Sequence, residues 1–189
     1  MTTSNIQNVS VAGKKSINIA VGQVFATLQN RAILKTLIPG CRYIEKKEYQ
    51  KTVSGISINL GGREFLFVNQ TDNNNNMVKA PFNINTTVHG NGGPAGRFKV
   101  NIKILLYPNG NITDFSYALE VTLYPKTIVF NEALIRMTIV QIIGQFFNNL
   151  EKVFKSESKN ESKIGLYFQI KRKVANFFTK IMQHPKPRF

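Results

Sequence analysis

Between residues 41 and 123 the chain repeatedly alternates apolar with polar side chains, and the runs stop at clusters of glycine, asparagine or proline. Period-two alternation puts one set of side chains on a buried face and the other in water, as in an antiparallel sheet. The pattern predicts strands over residues 41–47 and 49–60, a turn at Gly61-Gly62, a strand over 63–70 and a polar turn over 72–76. Phe82, Ile84, Thr86 and Val88 then alternate with Asn83, Asn85, Thr87 and His89, ahead of a glycine-rich connection over 90–96. In the clearest hairpin, Phe98, Val100, Ile102 and Ile104 face Phe115, Tyr117, Leu119, Val121 and Leu123 across a Pro108-Asn109-Gly110 turn.

Other periods flank this block. Residues 9–19 alternate as a first strand, and Val21, Val24, Phe25 and Leu28 have the spacing of one helical face. Ile33, Leu34, Leu37 and Ile38 continue as a second short helix, which Pro39 must stop and Gly40 can turn. Residues 127–154 read as one long helix whose apolar stripe is wide enough to need cover on more than one side. Gly144 within it either allows a close approach or is simply tolerated. A strand, two short helices, about six antiparallel strands and a long helix make an α+β layout, with a curved antiparallel sheet wrapped around the last helix.

Beyond residue 154 the composition changes. Residues 156–162, SESKNES, are polar and read as a linker. The expected division is a domain over 1–154, a linker over 155–163 and a tail helix over 164–189. In that helix Tyr167, Phe168, Phe177, Phe178 and Ile181 share one half, with Arg172, Lys173 and Lys180 on the other. Lys171 breaks into the apolar half and would snorkel, and Pro185 ends the helix. The whole chain has 25 Lys+Arg against 10 Asp+Glu, a net charge of +15. That excess favours polyanions without choosing among them. A basic amphipathic helix with large aromatics suits an anionic membrane surface. Packing on the domain, docking on a partner protein and binding nucleic acid are the alternatives. The lack of Arg-rich, aromatic-spaced strand motifs makes nucleic acid the weakest of them. No apolar run reaches the ~18 residues of a membrane span, and the N-terminus lacks the run of a signal peptide. The expectation is a cytoplasmic protein, peripheral at the inner face of the cell membrane. With Cys41 as its one cysteine, it has no internal disulfide.

A short helix running into Leu37-Ile38-Pro39-Gly40-Cys41 and then a strand, Gly61 at a strand end, the glycine-rich stretch from His89 to Gly96, and a closing helix containing QIIGQFFNNL occur together here. Over residues 9–154 this combination resembles the CoxG family of carbon monoxide dehydrogenase subunits, within the START-like helix-grip superfamily. The resemblance implies a helix-grip fold with an apolar tunnel between sheet and long helix. It implies a non-enzymatic accessory role at the membrane for a molybdenum-containing dehydrogenase, without a cofactor, and a lipophilic carrier such as quinone or a lipid in the tunnel. On that basis Pro39 and Gly40 mark a tunnel mouth. Phe82, Phe98, Phe115, Tyr117, Met137 and Phe146 form the wall, with Gln141 and Tyr117 as polar handles. On pattern alone the same aromatic and apolar residues are ordinary core, and Pro39-Gly40 is a plain helix stop. A lipid- or hydrophobic-metabolite-binding protein without a dehydrogenase partner remains an alternative, as does a basic nucleic-acid-binding protein. An aromatase/cyclase-type enzyme would need ionisable groups inside the tunnel.

Nothing in the residues argues for catalysis. Two histidines far apart, His89 and His184, and one cysteine cannot make a Cys/His metal site. His89 reads as an exposed turn residue and Cys41 as a small packed one. Gly90-Asn91-Gly92-Gly93-Pro94 lacks the Gly-Lys-Ser/Thr ending of a phosphate loop, and a strand follows it rather than a helix. Asp114 and Glu120 fall on the wet face of a strand, so no carboxylate pair is expected.

Overall fold

Among the described residues the strands are β1 (Gln7–Ile17), β2 (Cys41–Lys46), β3 (Thr52–Leu60), β4 (Arg63–Asn73), β5 (Phe82–Asn91), β6 (Arg97–Asn109) and β7 (Ile112–Tyr124). They form one sheet in the order β1-β7-β6-β5-β4-β3-β2, antiparallel throughout. The helices are α1 (Val21–Gln29) and α2 (Arg31–Leu37), between β1 and β2, and α3 (Glu132–Glu157) after the sheet. The computed structural model describes residues 6–47, 51–73, 81–124 and 130–157. The curved sheet and its C-terminal helix are those of the helix-grip fold.

Local chemistry sets the corners. Asn30 caps α2, its Oδ1 accepting from the backbone N–H of Ala32 at 3.1 Å and of Ile33 at 3.3 Å. Asn131 does the same for α3 through Ala133, at 2.7 Å. After α2 the chain turns at Gly40, whose φ of +71° is left-handed. The Gly40 carbonyl then accepts from the Ser57 N–H at 2.9 Å, which ties the corner to β3.

Side chains from the inner face of the sheet and from α3 pack into two separate clusters. One joins Ile17, Val24, Leu37, Leu106, Phe147 and Leu150 at the end covered by α1 and α2. The other joins Val9, Val121 and Ile135 near the start of α3. Polar contacts fasten α3 at the same two ends. Arg136 donates to the Ser10 carbonyl at 2.8 Å, and Asn149 donates to the Leu37 carbonyl at 3.1 Å.

Several boundaries differ from expectation. β4 runs on to Asn73 and β5 to Asn91, so His89 is exposed, as expected, but lies in a strand rather than a turn. α3 continues to Glu157, so helix occupies the start of the expected linker. Gly144 is exposed, and none of the described residues lies within 4 Å of where a Cβ would sit, so it serves no close approach among them. The expected helix start at 127 and most of the polar turn over 72–76 lie outside the described residues. So do the remainder of the linker and the whole tail helix over 164–189.

Candidate functional site

The sheet register carries an inward row from β5 to β7: Thr86 pairs with Ile102, and Ile102 with Leu119. Its apolar members, Ile102 and Leu119, lie between the two packed clusters and belong to neither. All three residues are half-buried although they sit mid-sheet on the inner face. Apolar positions of this kind are usually filled to close packing. Here Ile142 on α3 and Ile56, Ile58 and Val88 on the strands are also only half-buried. These positions between sheet and helix are therefore only partly covered.

The expected lining residues divide. Phe115, 2% exposed, meets Phe147 edge-on at 5.1 Å, and Phe82 stacks on Phe25 at 5.7 Å. These two belong to the solid end of the core. Phe146 is half-buried beside Phe147, at 5.6 Å. Phe98 is half-buried and meets Phe67 at 5.3 Å, its ring lying where Gly90 has no side chain. Tyr117 is half-buried, with its hydroxyl end over Gly13, where a methyl group would overlap it.

Met137 and Gln141 are corrections. Met137 is 67% exposed and Gln141 is exposed, and neighbouring Val140 is 53% exposed. At 100° per residue all three lie opposite Ile135, Ile139 and Ile142. They are on the solvent side of α3, so Gln141 is no handle for the interior. Pro39 is half-buried and Gly40 exposed at the corner before β2. Tyr167, Phe168, Lys171, Arg172, Lys173, Phe177, Phe178, Lys180 and Ile181 lie outside the described residues.

The polar groups of the interior lie elsewhere. On β3 the inward positions read Thr52, Ser54, Ile56, Ile58 and Leu60, and on β4 they read Phe65, Phe67, Asn69 and Thr71. Thr52 pairs with Thr71, and Ser54 with Asn69. Asn69, 1% exposed, donates through Nδ2 to the Phe67 carbonyl at 3.1 Å, while its Oδ1 has no partner among the described residues. The signal was present in the sequence as hydroxyl and amide side chains at the parity of a buried face.

Reactive groups do not converge. No three His, Cys, Asp or Glu among the described residues could hold a metal ion. Burial pushes the half-buried Cys41 thiol above its ordinary value, against the opposing pull of Lys35. Asp114 is bonded by Ser16 at 2.5 Å and Asn109 at 3.1 Å on the outer face, which holds its carboxyl below the usual value. No helix among the described residues is long and apolar enough to cross a membrane.

Comparison with solved structures places this arrangement among helix-grip proteins. A conserved protein from Geobacillus kaustophilus is 21% identical with a TM-score of 0.71, over 79% of this chain and 97% of its own. A putative uncharacterized protein from Rhizobium leguminosarum is 10% identical with a TM-score of 0.60, over 81% and 98%. The Zhui aromatase/cyclase from Streptomyces sp. R1128 is 8% identical with a TM-score of 0.50, over 82% and 95%. At these identities the likeness is one of fold alone. No curated protein matches the chain. The family described as CoxG, a carbon monoxide dehydrogenase subunit, matches residues 13–155. Most of the chain, from the latter part of β1 through nearly all of α3, falls within that match, and the chain belongs to the CoxG family of carbon monoxide dehydrogenase subunits.

Proposed function

We propose that the protein is a non-catalytic accessory factor that carries a lipophilic molecule, such as a quinone or a lipid, in the space between sheet and α3. The observation that supports this reading is the half-buried pair Ile102–Leu119, which neither packed cluster claims. A stable core gains from filling such positions, and a carrier gains from leaving them for a ligand. The family's description suggests the partner, a carbon monoxide dehydrogenase, which we take to be a molybdenum-containing enzyme. The basic aromatic tail suggests the location, an anionic membrane surface at which a lipophile can enter and leave without crossing water.

The test is flotation of the full chain with vesicles of phosphatidylcholine and phosphatidylglycerol, followed by organic extraction and mass spectrometry, beside affinity purification from the native cell. Flotation, an extracted lipophile and co-purification of a molybdenum enzyme are the expected results. Extraction of a lipophile without such an enzyme would leave a carrier that serves some other system. Empty extracts from protein purified without detergent would remove the carrier role, and retention on duplex DNA that vesicles do not compete would move the basic tail to nucleic acid.

A further inference from the structure

The outward side of α3 lacks the charges that a surface helix ordinarily presents to water. No residue from Met137 to Leu150 is charged, a length of about 20 Å at the rise of a helix. Met137 and Val140 are exposed there, and Gly144, one turn further on, leaves a hollow in the same row. Exposed apolar rows of this kind mark interaction sites. α3 ends at Glu157, and residues 158–189 follow it. The tail helix expected over 164–189 has an apolar half from Tyr167 to Ile181, also about 20 Å long. Residues 158–163 can reach roughly 20 Å when extended. Packed helix axes lie only about 8–10 Å apart, so the chain has length enough to turn back beside α3.

We infer that the outward face of α3 is the docking site of this chain's own tail, which lies antiparallel to α3 with its apolar half against Met137, Val140 and Gly144. Two helices that run in opposite directions from one short connection advance equally along their axes. That register sets Phe177 level with the Gly144 hollow and Ile181 level with Val140. It sets Lys152 and Lys155 beside the uncharged Gln169 and Leu166, so like charges do not meet. Arg172, Lys173 and Lys180 stay on the half that faces water. One apolar half cannot face α3 and lipid together. α3 therefore competes with the membrane for the tail, covering it in water and yielding it at an anionic surface. This rests on the membrane role proposed for the tail and is independent of the cargo.

Cross-linking in the full chain tests it. Cys41→Ser removes the native thiol, and Val140→Cys with Ile181→Cys then sets a pair across the contact. A disulfide forms only where Cα atoms come within about 7 Å. Copper-phenanthroline oxidation in dilute solution should close one within a single chain, and Asp114→Cys with Ile181→Cys, on the outer face of the sheet, should not. Vesicles of phosphatidylcholine and phosphatidylglycerol should suppress the link between positions 140 and 181. With Cys41 retained, Met137→Gln with Val140→Gln should bind those vesicles about tenfold more tightly, because the docked state no longer competes. Both side chains are exposed on the domain, so its core is left intact. No link, or a link from position 114 as readily as from 140, overturns the inference. A link between two chains overturns it and gives the face to a second copy. Unchanged vesicle affinity of the glutamine variant overturns the competition. A link within one chain that vesicles do not suppress keeps the docked tail and removes the tail's membrane role instead.

Discussion

Replacing Gly40 by alanine tests the corner between α2 and β2. Two costs add at this position. The backbone φ of +71° is left-handed, which costs an L-residue roughly 1–2 kcal/mol. The new methyl would also overlap the Ser57 carbonyl oxygen, a backbone atom that cannot swing away as a flexible side chain could. Relief requires β3 to retreat and weakens the 2.9 Å bond from the Ser57 N–H to the Gly40 carbonyl, a further loss of about 1 kcal/mol. Alanine restricts the unfolded chain and returns roughly 0.4–1 kcal/mol. Gly62→Ala is the internal control. Gly62 has φ of +82° with none of the described residues within 4 Å of the added methyl, so among them it incurs the left-handed cost alone. Urea unfolding followed by far-ultraviolet circular dichroism should therefore show Gly40→Ala less stable than Gly62→Ala by about 1 kcal/mol or more. The slopes should be equal and the midpoints displaced. Equal midpoints for the two variants would refute the reasoning, because only the contact with β3 separates them.

Two further outcomes follow from titrating groups. Burial pushes the Glu151 carboxyl up, but hydrogen bonds and charge from Lys155 and Lys15 outweigh it, and the net position is below the ordinary value. A depressed folded pKa contributes stability above the unfolded value of about 4.3 and loses it as pH falls through the folded one. Glu151→Gln should thus flatten part of the acid limb of a stability-versus-pH curve below about pH 5, and an unchanged acid limb would count against the Lys15–Glu151–Lys155 contact. The raised thiol of Cys41 should make iodoacetamide alkylation at neutral pH slower than that of a free cysteine peptide; a faster rate would contradict its burial.

The alternation of β5, β6 and β7 was legible because one face packs and the other is wet, and the β6–β7 turn sits at the Asn-Gly signal, with Gly110 at φ of +58°. The helix stop before Pro39 was legible for the same local reason, since proline acts on its own neighbours. The orientation of α3 was less legible. Its apolar stripe is so wide that Met137 and Val140 fit the pattern of a buried face, and only the tertiary position of the sheet puts them outside. The interior polar wall was hidden in a different way. Thr52, Ser54, Asn69 and Thr71 have the parity of buried residues but the chemistry of exposed ones. Until the register pairs Thr52 with Thr71 and Ser54 with Asn69, they look like interruptions rather than a surface.

The strand order also has a consequence for the sequence of events at synthesis. From β2 to β7 each strand pairs with its immediate successor, so five hairpin-like pairings can form as the chain emerges, each by closing a loop no longer than its own turn. β1 is different: Val9 pairs with Val121, and no partner exists for the first strand until the seventh has been made. Throughout that interval an eleven-residue strand waits with both edges open, a natural binding site for a chaperone or for another nascent copy. The N-terminal end is therefore where crowding at the ribosome should first cost this protein its yield, and where a holdase would help it most.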